Sequence, residues 1–460
     1  MRTLLFLIIA GVAGIFGALW VLQFESFPPR AEIAEEVSSL GRSAKLDITV
    51  HADAPGLHLV EVRVRPESGS ADDAVVIHEQ TFAANSWRGS GVRQARVEIE
   101  ADFAELKVPE GPATLEVFVE SYAWHVIPSA SAPRLTLPIE VDLSPPRIEV
   151  LSTSHSLRLG GVDVLVFRQS ADTVESGVAV EDYFFPAKTG YFADPTAALA
   201  FFAVPQDLDT SARVRLIARD AAGNEREVRI PCIVRARSFR ERTLPITDDF
   251  LTRKVPELQA DNDLPATTDL LQGYVDINRN LRQRNEEQIR AVTRESSTRI
   301  AWDGGFLRQA RAASVSNFGD RRAYEYNGEI VDRQVHLGFD LASVKQAPIE
   351  STQAGTVVFA GNLGIYGETV IIDHGLGIFS LYGHMSSIAV AVGEAVARGA
   401  KLGRTGITGL AGGDHLHFSI MLHGIHVDPV EWWDDRWLKN QILAKLALLP
   451  QAAPATGETN

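Results

Sequence analysis

Five of the twelve histidines fall between positions 336 and 417, and three groups of residues there have the types and spacing of a metal or proton-transfer site. In His336-Leu337-Gly338-Phe339-Asp340 an imidazole and a carboxylate stand four residues apart. Residues an even number apart on a strand face the same side, so the two can converge on one divalent cation; a helix also permits it. Gly338 and the strand-forming surroundings favour the extended form. In His415-Leu416-His417-Phe418 the two imidazoles share one strand face, and Leu416 and Phe418 take the other. Such a pair can supply one metal ligand and one neighbour that handles protons on a bound water. The third group is Leu381-Tyr382-Gly383-His384-Met385, a histidine beside a flexible glycine. Taken singly, each reads most simply as a surface ion pair, a solvated strand face or a structural histidine. Their joint occurrence in one order, punctuated by glycine-rich hairpins at 361–367, 373–377 and 403–413, favours a shared site.

In that order the segment 302–433 resembles the lysostaphin and LytM family of zinc peptidoglycan endopeptidases. The resemblance is carried by Ser316-Asn317-Phe318-Gly319, His336 with Asp340, Ala347-Pro348, Tyr366-Gly367, Asp373-His374-Gly375, Tyr382-Gly383-His384, the glycine-bounded run 406–409, and His415-Leu416-His417-Phe418. Two positions depart from it: Asp414 stands where many members have Pro or Ala, and Ser419 where many have Glu. The resemblance implies an antiparallel β-fold of the duplicated hybrid motif type with a groove. It also implies zinc held by His336, Asp340 and His417, leaving a fourth position for water. His415 then matches the family's general base, and His384 a donor toward the developing oxyanion or the leaving amine. The implied substrates are the stem peptides and cross-links of bacterial peptidoglycan, with a D-Ala to diaminopimelate bond expected ahead of a glycine bridge.

A second function class is the non-catalytic regulator or scaffold that activates other cell-wall hydrolases, as family members without zinc ligands do. This sequence retains all five expected residues. The fold is also shared with cytoplasmic sugar-phosphotransferase domains, against which Asp340 and an export signal argue. Of the remaining residues, His374 is expected to stabilise a turn and His423 and His426 to lie on the surface or in a hairpin. Tyr324 and Tyr326 are expected to pack, and Trp432 and Trp433 to be buried at the domain's end.

Around these residues the chain is organised in segments. Alternating apolar positions at Leu46, Ile48 and Val50, at Val60, Val62 and Val64, and at Leu115, Val117 and Val119 predict an immunoglobulin-like β-sandwich over 44–143. Pro145-Pro146 marks a break, and Val162, Val164, Val166, Val214 and Leu216 predict a second sandwich over 146–236. Asp220-Ala221-Ala222-Gly223-Asn224 has the composition of a hairpin turn rather than of a calcium loop. Leu270, Leu271, Tyr274, Ile277 and Leu281 recur at helical spacing, giving a helical connector over 237–300 that packs on the next domain or reaches across its groove. The peptidase domain is expected over 301–433 and a C-terminal helix with a disordered tail over 434–460, the disorder beginning after about 448.

Residues 4–22 are uncharged, and their 19 positions span about 28 Å as a helix. Trp20, Val21 and Leu22 follow where a cleavage site would need small residues, so an uncleaved single-pass anchor over 1–23 is expected, with a linker over 24–43. Arg2 precedes the span and Glu25, Glu32, Glu35 and Glu36 follow it, which leaves the bulk of the chain on the outer, periplasmic side of the cytoplasmic membrane. Divisome or other cell-wall regulatory proteins are candidate partners there. A net charge of −15 without basic stripes argues against nucleic acid, and the single cysteine, Cys232, excludes an internal disulfide framework.

Overall fold

Alternation of apolar and polar side chains shapes the first part of the chain in the computed structural model, which describes residues 11–14, 17, 28–52, 55–86, 89–123 and 132–453. Two units are distinguished, one built mainly on residues up to 146 and the other on most of the remainder. In the first, Arg30–Ile33, Ser43–His51 and Gln94–Asp102 form one sheet. Ser39–Leu40, Leu135–Val141, Gly111–Ser121, Leu57–Pro66 and Val75–Thr81 form the other, in that order. Ile48, Val50 and Val97 from one sheet meet Val60, Val62, Leu115 and Val117 from the other in one core. The sandwich begins earlier than its expected boundary at 44. Ala31 and Leu40, in the stretch read as linker, are buried, and their strands pair with Ser43–His51 and Leu135–Val141. The membrane anchor expected over 1–23 lies almost wholly outside the described residues. Among the described residues no helix is long and apolar enough to cross a membrane.

In the second unit, Val162–Gln169 is buried continuously up to Phe167 and Ala197–Ala203 along its whole length, because both faces are covered. Their cluster includes Leu438, Ile442 and Leu446 from the C-terminal helical segment and Trp302, Phe306 and Trp432 from the site-bearing domain. A buried polar group sits in the same region: Asp163 accepts from His155 Nδ1 at 3.0 Å and is ion-paired with Lys445. Three buried groups that satisfy one another fix the C-terminal segment to this sandwich. The expected disorder after 448 begins later, since Ala193 N donates to Pro450 O at 2.9 Å and Ala452 N to Tyr191 O at 3.0 Å. The 220–224 segment is a hairpin turn, with Asn224 N donating to Asp220 Oδ1 at 2.9 Å and Gly223 at φ 85°.

The connector is not helical throughout. Glu241–Pro245 is a strand running parallel to Arg321–Tyr326, which pairs in turn with Glu329–Val335. Helix Asp248–Asp261 follows, capped by Thr247, and then Leu270–Asp276, a π-helical turn Ile277–Leu281 and helix Arg282–Val292. Leu251, Val255, Leu258, Tyr274, Ile277, Leu281 and Ile289 share one core with Tyr366, Phe379, Leu381 and Met421. The connector therefore covers a face of the main sheet and folds with it. That sheet has ten strands. Its path runs Ala313–Ser316, Phe339–Ala342, Leu416–Leu422, Ile378–Ile388, Glu368–Asp373, Gly355–Asn362 and Ala395–Val396.

One half-buried acid gives this unit a pH dependence. Val162 N donates to Glu431 Oε2 at 3.0 Å, and burial pushes the Glu431 carboxyl up to about 8. Between its ordinary value of 4.5 and about 8 the folded chain holds a proton that the unfolded chain has released, so stability falls as pH rises through that window. Thermal unfolding followed from pH 5 to pH 8 should show the melting temperature dropping by roughly a few degrees from this group, and Glu431→Gln should flatten that slope. An unchanged slope in the variant would assign the pH dependence to other groups.

Candidate metal and proton-transfer site

Strand register brings the separated motifs together. Asp340 stands directly across from His417, His417 from Gly383, and Asp340 from Ser316 on its other side. His384, next after Gly383, has a left-handed backbone at φ 59°, a conformation that costs a non-glycine residue on the order of 1–3 kcal/mol. Gly338 meets a different constraint. A Cβ there would lie 2.5 Å from Ser419 Oγ and 2.7 Å from His417 Nε2, so only hydrogen fits beside that ring.

The result is a tight triangle of ligand atoms. His336 Nε2 is 2.9 Å from Asp340 Oδ1 and 3.1 Å from His417 Nδ1, and His417 Nδ1 is 3.1 Å from Asp340 Oδ1. All three side chains are buried. The hydrogen positions follow from the partners on the far side of each ring. His336 Nδ1 is 3.0 Å from the Asn317 carbonyl, which can only accept, so that nitrogen carries the proton. Ser419 Oγ donates to Leu337 O at 2.8 Å and must therefore accept from His417 Nε2 at 3.1 Å. Lone pairs on His336 Nε2 and His417 Nδ1 consequently point at a carboxylate oxygen and at each other. Three acceptors without a hydrogen to share repel, and a cation between them removes the conflict. Ligand bonds of ~2.0–2.1 Å meeting at tetrahedral angles put the donor atoms roughly 3.3 Å apart, close to the spacing found. The set fits a divalent metal.

Electrostatics agree with this arrangement. Burial holds the His336 imidazole below its ordinary range and takes His417 down to about 3, leaving both neutral. Burial alone would raise Asp340, yet the charge that its imidazole neighbours, His336 first, carry when protonated puts its carboxyl well below the usual range. Its second oxygen, Oδ2, accepts from Arg322 Nη2 at 2.6 Å, and the same nitrogen donates to Ser316 Oγ at 2.8 Å.

The other two histidines face the same cleft. His384 Nδ1 donates to Thr408 O at 2.8 Å and His415 Nδ1 to Gly413 O at 2.7 Å, so Nε2 of each ring is the free basic nitrogen. Their ring centroids are 4.8 Å apart, and His384 is 5.8 Å from His417. Burial, with His415 and His417 nearby, holds His384 well below its ordinary range. His415 goes the other way: burial disfavours its charge, but Asp340, 3.4 Å from Nε2, outweighs it and raises the ring.

All five residues singled out in the sequence therefore line one cleft of about 400 Å³. Tyr324 lines it too. His374 is buried elsewhere, bonded to Ala354 O and Ser380 Oγ, and Trp432 is buried. His426 lies in the hairpin after the H-x-H strand, across from Met421, and is buried there rather than exposed, with Nε2 3.2 Å from Glu286 Oε2. Glu286, on helix Arg282–Val292, also accepts from Tyr366 Oη at 2.7 Å, and the Tyr366 ring lies 5.2 Å from that of His417. Arg322, Ser419, Glu286 and the arginines of the connector are the residues that motif reading missed. Ser419 was visible as a departure from the family pattern, whereas the others lie in segments without motif.

A comparison with known families decides the class of this domain, since residues 334–429 match the model for peptidase family M23. Residues 334–429 are an M23 domain. Over 97 residues the chain is 36% identical to the DD-carboxypeptidase/endopeptidase Mpg of Neisseria meningitidis, covering 21% of this chain and 22% of that protein. Over 116 residues it is 33% identical to the peptidoglycan DD-endopeptidase ShyA of Vibrio cholerae, covering 25% and 26% respectively. The chain thus matches about a quarter or less of the length of these relatives. A solved structure of a putative peptidase M23 from Pseudomonas aeruginosa aligns over 60% of this chain and 94% of its own, at 21% identity and a TM-score of 0.38.

Within the M23 domain, Ser419 is the most direct test of the hydrogen positions. Ser419→Ala removes the acceptor that fixes the His417 ring, and divalent-metal affinity measured by chelator competition should fall roughly 10–100-fold. Unchanged affinity would mean that packing alone orients the ring.

Proposed function

We propose that the chain is a zinc-dependent endopeptidase that hydrolyses peptide cross-links of bacterial peptidoglycan, anchored by its N-terminal segment to the outer face of the cytoplasmic membrane. The observation that carries this reading is the triangle of unprotonated ligand atoms on His336, Asp340 and His417, inside an M23 domain and beside two further imidazoles with free Nε2 atoms. His336 Nε2, Asp340 Oδ1 and His417 Nδ1 would hold the zinc. When bound, zinc acts as a Lewis acid and brings the pKa of a bound water to about 7.

The remaining chemistry belongs to the chain. His415 takes the proton of the attacking water at Nε2 while its Nδ1–H stays on Gly413 O. His384 holds its own Nδ1–H on Thr408 O, so its Nε2 can accept a proton and, once loaded, donate to the developing oxyanion or the leaving amine. Because burial makes His384 a poor resting place for a proton, the loaded ring gives it up readily. Arg322 holds the outer Asp340 oxygen, so that the inner one keeps its place in the triangle. Substrate class is read from the DD-endopeptidase relatives, and the favoured bond is one between D-Ala and diaminopimelate. Retention of all five site residues weighs against a purely regulatory role. The anchor and periplasmic placement rest on the apolar run at 4–22.

Purified sacculi incubated with the chain should release cross-link cleavage products by mass analysis, and a chelator should stop the release. His417→Ala should lose both metal and activity. His415→Ala should keep its metal while turnover falls roughly 10²–10⁴-fold. Undiminished release by His417→Ala would contradict the assignment.

A further inference from the structure

The cleft carries a positive charge that the hydrolytic machinery does not use. Its charged side chains are Arg242, Arg282, Arg322 and Asp340. Arg322 and Asp340 neutralise one another at 2.6 Å, and in a chain of net charge −15 the other two lack a carboxylate partner at ion-pair distance among the described residues. Among the described residues the Arg242 side chain donates only to the Val315 carbonyl, at 2.7 Å. Arg282 is the better organised. Its Nε donates to Asn278 O at 3.1 Å and its Nη2 to Asn278 Oδ1 at 2.7 Å, leaving Nη1 and one hydrogen of Nη2 along the outer edge of the guanidinium. Asn278 is itself fully buried and tied to Asp332 at 2.7 Å, so the fork is positioned before any ligand arrives.

Local structure supports a purpose for that placement. The π-helical turn Ile277–Leu281 immediately precedes Arg282, and such turns are frequent at functional sites. Glu286, one turn further along the helix, feels the charge of Arg282 but spends its oxygens on Tyr366 and His426. Arg282 is thus one helical turn from the residue that holds Tyr366, whose ring lies 5.2 Å from that of His417. A cleft of about 400 Å³ accommodates little more than the residues flanking a scissile bond.

Resting on the endopeptidase reading, we propose that Arg282 is a specificity-determining residue that binds, edge-on, a free carboxylate on the substrate residue whose nitrogen becomes the leaving amine. A planar carboxylate presents two oxygens that match two N–H groups of the guanidinium edge. Cross-links between D-Ala and diaminopimelate carry such a carboxylate on the carbon that bears the scissile nitrogen. Glycine bridges do not. The same contact would serve an uncross-linked stem ending in a free carboxylate.

The test uses the full metal-loaded chain and two synthetic cross-linked muropeptide dimers that differ only in whether that carboxylate is free or amidated, with an uncross-linked pentapeptide stem as a third substrate. Wild type should prefer the free acid by roughly ten- to a hundredfold in kcat/KM, the range expected for one charge-assisted contact. Arg282→Gln should lose that preference while cleaving the amidated dimer as wild type does, and Arg282→Lys should recover part of it. Equal cleavage of the dimers by wild type, or a preference that survives Arg282→Gln, overturns the proposal while leaving the endopeptidase reading intact. A variant that loses activity on the amidated dimer as well overturns it too, since Arg282 would then be needed for the fold or the reaction itself. Failure of the zinc-loaded wild type on all three substrates overturns the endopeptidase reading, and this proposal with it. Any cleavage of the pentapeptide by wild type should fall in Arg282→Gln by the same factor as that of the free-acid dimer, and an undiminished rate there overturns the proposal as well.

Discussion

Two imidazole lone pairs and a carboxylate oxygen are held within 3.1 Å of one another without a hydrogen to share, and the domain is built so that they cannot move apart. Each group is gripped from behind. Asn317 O fixes His336, Ser419 fixes His417, and Arg322 fixes Asp340. The grips depend on strand register, since Asp340 faces His417 across one ladder and Gly383 faces His417 across the next. A slip of one residue in either ladder would turn the ligands to the opposite face. Gly338 belongs to the same constraint, because a side chain there would occupy the space of the His417 ring and Ser419.

That rigidity needs support from outside the sheet. The connector supplies it by sharing a core with the sheet's central strands and by sending Glu286 into the gap between Tyr366 and His426. Burial would raise this carboxyl, but His426, Tyr366 and Arg282 together bring it down to about 2, so it stays charged. A buried charge satisfied in this way is costly to leave unpaired, which ties the position of helix Arg282–Val292 to that of Tyr366 and hence to the cleft. The connector is a wall of the site.

Legibility in the sequence followed the range of the interactions involved. His336, Asp340, His384, His415 and His417 stood out because short strand motifs keep their spacing local, and alternating Val and Ile marked both sandwiches. Residues whose partners lie far along the chain did not stand out. Arg322 reaches Asp340 from another strand, and Glu286 meets Tyr366 and His426 from a helix, with 80 residues separating Glu286 from Tyr366. His426 does lie in a hairpin, but its burial was not legible because nothing in its neighbourhood reveals the acid that covers it. The strand Glu241–Pro245 was hidden in a charged segment for a related reason, since it is an edge strand whose single neighbour, Arg321–Tyr326, is remote in sequence. The short strands in the expected linker, Arg30–Ile33 and Ser39–Leu40, likewise take their stability from distant partners rather than from their own pattern.

The account turns on one metal ion held by two imidazole nitrogens and one carboxylate oxygen. X-ray absorption at the zinc edge, recorded on the full chain purified with its metal and again on Asp340→Ala, measures this directly. The wild-type spectrum should fit two nitrogen and one carboxylate oxygen scatterers at about 2.0–2.1 Å together with a fourth light atom, and the variant should lose the carboxylate contribution or the zinc altogether. A wild-type spectrum that fits only water oxygens, or one that Asp340→Ala leaves unchanged, would contradict it.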